Sequence, residues 1–406
     1  MVWIHGGGFT KGVANEVYDS AHLAERGKVV AVAIQYRLGP PGFLHGASLF
    51  KGELCADNRA FLDQMLALRW VQENIEAFGG DPANVTLFGE SAGAFAVYQL
   101  AASPQAKGLF RRCIAMGGMP ETCAPADEYH RLARDVLEGA GVKAGDEDAL
   151  VSLDREKIQA LQRAVSGTLF RGRDPGRYGS LGRTKLAFMG AATQTGFLPA
   201  APLASYPHGT PNDIDLLLGN CANDGGLFSF MLPLGRATSA RLFSTHLKGF
   251  VPRGDMAALR KHYREQMPGV ALGRQYDQIN HDAFYRAPTL RAAQAHAAGT
   301  PGKTWHYQLE CKSAVPGLDG IHAIDVALLF PGGPIRKLVH EDAETQRASE
   351  LMVDAWTSFA RTGIPRAAGL PEWSPFGTDR STMVFGQPAR LEKKLDAHLL
   401  GYWEPR

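Results

Sequence analysis

Gly89-Glu90-Ser91-Ala92-Gly93 sets a serine midway between two glycines, after the apolar Val85, Leu87 and Phe88 and before a run of small residues. Gly-x-Ser-x-Gly between a strand and a helix is the pattern of a nucleophile elbow, a sharp turn on which the serine hydroxyl stands clear of its strand. Positions two residues to either side crowd the neighbouring strand and helix, which is why both are glycine. The helix that follows directs its free amides, and its positive dipole end, toward a site of negative charge. A serine hydroxyl is a weak nucleophile alone. It needs a general base, and the base needs a carboxylate to orient it. The chemistry implied is acyl transfer through Ser91.

Chain order selects the partners. On a doubly wound parallel sheet with such an elbow, acid and then histidine follow the serine. The acid belongs on a turn just past the carboxyl end of a core strand. Asp224 follows the apolar Ile214–Gly219 and precedes Gly225-Gly226, whereas Asp213 and Asp215 lie at the other end of that strand. A turn aspartate bonded to its own backbone is the structural alternative. His322 lies in a glycine-containing loop after the strand-like Thr304–Leu309 and is the candidate base. His306 falls inside that strand and His296 on the helix before it. The rival is His281, next to Asp282; it reads as preceding a helix, with a capping or buried hydrogen-bonding role. Negative charge on the reacting carbonyl oxygen calls for aimed amides: Ala92 after the nucleophile, and Gly7 and Gly8 in His5-Gly6-Gly7-Gly8. A plain glycine-rich turn is the alternative there. A phosphate loop is disfavoured because no Gly-Lys-Ser/Thr follows. Glu90 is an auxiliary candidate that either stabilises the imidazolium or binds water.

Strands and helices in alternation must carry these residues. Val2–Ile4, Val29–Tyr36, Val85–Phe88, Arg112–Met116, Ile214–Gly219 and Thr304–Leu309 read as strands, the continuous apolar ones covered on both faces. Thr382–Phe385 reads as a last edge strand. A helix over about 62–78 presents Leu68, Val71, Ile75 and Phe78 on one face and stops at Gly79-Gly80. Helical patterns cover 127–139 and 154–165, with a glycine- and arginine-rich loop at 171–183 and no strand signal over 125–195. A second helical stretch covers about 239–266 and 287–298, and a long amphipathic helix spans about 341–361. The expectation is a mostly parallel, doubly wound α/β sheet in one domain over 1–406. Helical insertions near 125–195 and 227–298 cover its carboxyl edge, where ligands of such sheets bind.

The chain has 406 residues, 45% of them hydrophobic, and a formal charge of +2. Near-neutral charge without basic runs or zinc-type spacing argues against a nucleic-acid partner or a metal site. No apolar run is long enough to cross a membrane. Cys55, Cys113, Cys123, Cys221 and Cys311 are scattered and suggest buried thiols rather than a disulfide framework. Asn84-Val85-Thr86 matches a glycosylation acceptor but opens a buried strand. No signal peptide is evident, which makes the cytoplasm the default location. A core strand at residue one also suggests that Met1 is internal to a longer protein.

Consecutive blocks of the chain resemble the type-B carboxylesterase/cholinesterase family of α/β hydrolases: Trp3–Phe9, Tyr36–Leu44, Asn58–Ala94, Phe110–Gly118, Gly219–Gly226 and Gly320–Phe330. The resemblance implies Ser91, Asp224 and His322 as the triad, Gly7, Gly8 and Ala92 as oxyanion donors, and hydrolysis of carboxylic esters, a small-molecule substrate class, without cofactor or metal. Three departures stand out. Asp224 replaces the family's usual glutamate, Gly226 replaces a serine or threonine, and the segment that normally precedes the HGGG loop, with its edge strands, is missing. A non-catalytic binding or adhesion module on the same fold, and an inactive fragment of a longer esterase, are the competing readings. The aromatic share of 9% gives no sign of a choline cage. Oligomeric state and the particular ester are not legible.

Overall fold

The computed structural model describes residues 1–14, 16–52, 54–171, 175–184, 190–210, 213–229, 236–245, 247, 255–395 and 397–403. Among the described residues there are ten strands: β1 (Val2–Ile4), β2 (Val32–Ile34), β3 (Thr86–Glu90), β4 (Arg112–Met116), β5 (Cys123–Pro125), β6 (Ala191–Thr193), β7 (Asp215–Cys221), β8 (Thr304–Leu309), β9 (Ser381–Phe385) and β10 (Arg390–Lys393). Eight of them form one sheet in the order β10-β9-β8-β7-β4-β3-β1-β2. All neighbours are parallel except the antiparallel β9–β10 pair. The carboxyl ends of β1, β3, β7 and β8 therefore open on the same side of the sheet.

Period-two alternation sorts the strand residues into two cores. Ile4, Leu87, Ala115 and Leu218 join one apolar layer, while Trp3, Phe88, Ile114 and Leu217 join the other. Both faces are covered by helices, so a continuous apolar run is the correct strand signal here. The helix Ala92–Ala102 is buried at every residue. At the amino end of the sheet, Arg112 pairs with Asp215 at 3.1 Å and also donates to the Ala360 carbonyl. Lys303 holds Asp213 at 3.0 Å. Both aspartates are thus engaged far from the carboxyl edge.

Several elements differ from expectation. The apolar 29–36 run yields only Val32–Ile34 as strand, because β2 is terminal and pairs on one side with β1. Thr382–Phe385 is not the last strand; β10 closes that end. The helix expected over 62–78 spans Arg59–Asn74, and a 3-10 turn over Ile75–Phe78 turns Phe78 outward to 62% exposure. The insertion holds a small parallel pair, β5–β6, which its short strands concealed. Part of the supposed 171–183 loop is helical over Pro175–Thr184, with a kink at Gly179 (φ 52°); residues 172–174 lie outside the described residues, as do parts of the second expected insertion. All five cysteines are unpaired.

Candidate active site

Ser91 sits at the junction of β3 and helix Ala92–Ala102 with φ 55° and ψ −122°. A non-glycine residue held there costs about 1–3 kcal/mol, which the surrounding packing must offset. The packing is tight enough to do so. A Cβ on Gly93 would lie 2.0 Å from the Ile4 carbonyl oxygen, and one on Gly89 would lie 2.6 Å from the Gly93 carbonyl carbon. The Ser91 amide donates to the Met116 carbonyl at 2.9 Å, tying the turn to β4.

The HGGG loop leaves β1 beside this turn. The His5 ring stacks on Tyr36 with centroids 4.6 Å apart, and the Tyr36 hydroxyl donates to the His5 carbonyl. Gly7 (φ 110°) and Gly8 (φ 62°) adopt conformations that disfavour a side chain. Gly6 comes so close to the elbow that a Cβ would stand 2.8 Å from Glu90 Oε2 and 3.1 Å from Ser91 Cβ. Among the described residues, the amides of Gly7, Gly8 and Ala92 donate to no protein acceptor.

Asp224 follows β7, and His322 lies in the loop after β8. An isolated bridge between Asn223 and Ile321 laces the two loops together. His322 Nδ1 donates to Asp224 Oδ1 across 2.7 Å, with the aspartate fully buried. The other ring nitrogen, Nε2, stands 3.0 Å from Glu90 Oε1, aligned too poorly for a hydrogen bond. No hydrogen bond joins Ser91 to His322 among the described residues. Asp224 Oδ2 likewise has no hydrogen-bond partner.

A third carboxylate, Asp325, completes the surroundings. It is fully buried in helix Ile324–Leu329 and accepts from the Tyr307 hydroxyl at 3.1 Å. Its signal in the sequence was an acid inside the apolar run after His322, read only as family pattern. Burial raises Glu90 to about 8, reinforced by Asp325 and Asp224 and opposed by His322. Burial, then Asp224, raises Asp325 to about 6. Burial also raises Asp224. Burial alone would lower His322, but the Glu90 and Asp224 carboxylates outweigh it and push the imidazole up to about 9. One imidazole thus faces three buried acids, and their titrations are coupled to its own.

The rival His281 packs its backbone against Gly225, where a Cβ would lie 2.3 Å from the His281 nitrogen, but its ring makes no hydrogen bond to this constellation. It ends the helix Leu272–His281 rather than preceding one, and the chain continues as a π-helical turn over Asp282–Arg286. Its ring is fully buried, and neither nitrogen makes a hydrogen bond, so it neither caps nor pairs. Neighbouring Asp282 instead accepts from Tyr263 at 2.5 Å and from Gln278 at 2.9 Å. Sequence reading gave no sign of Tyr285, whose ring centroid lies 4.9 Å from that of His322.

The model of the carboxylesterase family matches residues 1–403, and the chain belongs to that family. It is therefore a carboxylic ester hydrolase of the α/β-hydrolase fold. The para-nitrobenzyl esterase of Bacillus subtilis (strain 168) is 30% identical over 403 residues, which cover 97% of this chain and 76% of the relative. Liver carboxylesterase B-1 of Rattus norvegicus is 29% identical, over 99% of this chain and 73% of the relative. The crystal structure of the Geobacillus stearothermophilus carboxylesterase EST55 at pH 6.2 superposes with a TM-score of 0.82 at 30% identity, covering 99% of this chain and 81% of that one.

Proposed function

We propose that the chain hydrolyses carboxylic esters through a Ser91-His322-Asp224 triad and an acyl-enzyme. The observation that carries this reading is the 2.7 Å Asp224–His322 bond beside a serine held at φ 55°. His322 Nε2 removes the Ser91 proton as the hydroxyl oxygen attacks the ester carbonyl. Asp224 fixes the tautomer through Nδ1 and stabilises the imidazolium. The amides of Gly7, Gly8 and Ala92 receive the developing oxyanion; losing one such donor typically costs about 3–4 kcal/mol of barrier. The imidazolium returns its proton to the departing alkoxide. Water then cleaves the acyl-enzyme by the same route, releasing the acid.

Nε2 must turn from Glu90 toward Ser91 for the first proton transfer. Catalytic hydrogen bonds commonly tighten only once substrate is bound. Glu90 then remains beside the imidazolium as a second stabilising carboxylate. The name of the Bacillus relative makes a para-nitrobenzyl ester a reasonable first substrate.

The experiment is turnover of such an ester together with labelling by a fluorophosphonate. Labelling at Ser91, with Ser91→Ala reducing kcat roughly a million-fold, is the expected result. Folded protein that neither turns over ester nor takes the label would support the binding-module reading instead.

A further inference from the structure

We propose that Tyr285 is a positioning residue for the general base: its ring sets the plane of the His322 imidazole and stabilises the imidazolium formed when Ser91 is deprotonated. The inference rests on the triad reading above and extends it to a residue outside the triad.

The need for such a residue follows from how few bonds hold the imidazole. Asp224 grips only Nδ1, through one oxygen, and Nε2 has no aligned partner. The Cβ–Cγ bond and this one hydrogen bond together define the ring plane, but a single bond to one oxygen resists tilting only weakly, so packing decides how firmly the plane is held. Gly117 and Tyr285 both bear on it. Gly117 (φ 57°) approaches so closely that a Cβ there would lie 3.1 Å from His322 Cε1 and 3.2 Å from Nδ1. Tyr285 places its ring centroid 4.9 Å from the imidazole centroid, tilted by 43°. It is 5% exposed, so the contact also keeps solvent from the imidazole.

The backbone under Tyr285 is unusual. Asp282–Arg286 is a π-helical turn between two α-helices, Leu272–His281 and Ala287–Gly299. Such turns take an extra residue into one turn, shift side chains out of α-helical register and concentrate at functional sites. This one carries the aromatic ring that meets the base.

The contact is suited to a cation. A cation over the face of an aromatic ring and within about 6 Å of its centroid is attracted to the ring quadrupole, more strongly when water is excluded, and a 43° tilt at 4.9 Å keeps the imidazole within that range. The titratable groups around His322 are Glu90 at the end of β3, Asp224 after β7 and Asp325 in helix Ile324–Leu329, with the Tyr307 phenol behind Asp325. Tyr285 is a neutral group in this acidic ring, since burial drives its phenol far above its ordinary value.

The test compares Tyr285→Phe and Tyr285→Leu with the unaltered chain. Rates are expressed per site titrated with fluorophosphonate, so that misfolded protein drops out. Removing the ring should lower kcat about ten-fold with KM little changed, and move the acid limb of kcat/KM about half a unit to lower pH, because the protonated imidazole loses its support. Tyr285→Phe should retain the original rate and limb. A leucine variant with unaltered kcat and limb would overturn the proposal, as would a phenylalanine variant that behaves like leucine. Absence of Ser91 labelling in the unaltered chain would instead sink the triad reading beneath it.

Discussion

Glu90 Oε1 lies 3.0 Å from His322 Nε2, the ring nitrogen turned away from Asp224. The residue beside Ser91 in sequence thus faces the ring nitrogen that the proposed triad assigns to the Ser91 proton. It is also the largest of the influences that raise His322.

The pH profile should show this directly. His322 acts as a base only when neutral, and with the imidazole raised to about 9 the activity should climb through the alkaline range. Glu90→Gln removes the strongest raising influence and should shift the acid limb to lower pH by about one unit. Measuring kcat/KM from pH 5 to about 10 for both proteins checks it. An unmoved limb would remove Glu90 from the electrostatics of the base.

Asp224→Asn should preserve the fold and abolish most catalysis. An amide in place of the carboxylate no longer fixes the Nδ1–H tautomer, and comparable changes cost about ten-thousand-fold in kcat. The loss should appear in kcat while the thermal transition stays close to that of the unaltered chain. A rate within ten-fold of it would reassign the acid, and Asp325 would be the first replacement to examine.

The elbow should tolerate no methyl group at Gly93. The nearest atom to a new Cβ is the Ile4 carbonyl oxygen at 2.0 Å, part of the backbone of β1. No rotamer change relieves that overlap, so Gly93→Ala should cost at least about 2 kcal/mol and lower the melting temperature. Gly139→Ala is the control, since its Cβ meets nothing within 4 Å. Equal transitions for the two variants would contradict the packing described for the turn.

Acid should destabilise the protein well above the ordinary carboxylate range. Burial lowers His45 to about 4, His296 to about 4 and His306 to about 3, and drives His281 well down. Each depressed histidine is neutral in the fold while the unfolded chain protonates near 6.5. As pH falls below 6.5, proton uptake favours the unfolded state until the folded-state values are reached. Glu90, Asp325 and Asp224, raised by burial, act in the opposite sense, but the four histidines outnumber them, so denaturant midpoints should fall from pH 6.5 toward 4. A flat profile over that window would show that these imidazoles are not buried as neutral groups.

The site was legible where covalent neighbours determine it. Gly89, Ser91 and Gly93 announce a turn that only one backbone geometry satisfies, and the strand after which Asp224 sits is apolar enough to be found by eye. The side of the sheet followed from chain order. What escaped depends on contacts across the fold. Nothing near Tyr285 in sequence reveals that a π turn will lean it on an imidazole 37 positions later. Asn280-His281-Asp282 resembles a cap, whereas the α-helix Leu272–His281 passes there into the π-helical turn Asp282–Arg286. Phe78 fits the apolar stripe of its helix only if the last turn stays α-helical, and the tightening to 3-10 geometry rotates it to the surface. β5 and β6 have three residues each, too few to establish a period.

The order of the sheet has a kinetic consequence. Ser91 and the Asp224–His322 pair come to the same edge only when β3, β4, β7 and β8 lie side by side, and 98 residues separate the two ends of the Asp224–His322 bond. No hairpin or local helical unit contains the site, and loop closure over such distances makes parallel pairing a slow step in folding. During refolding, helical content should recover first and ester turnover last. Recovered catalysis is thus a reporter of the assembled sheet, more exacting than any spectroscopic measure of secondary structure.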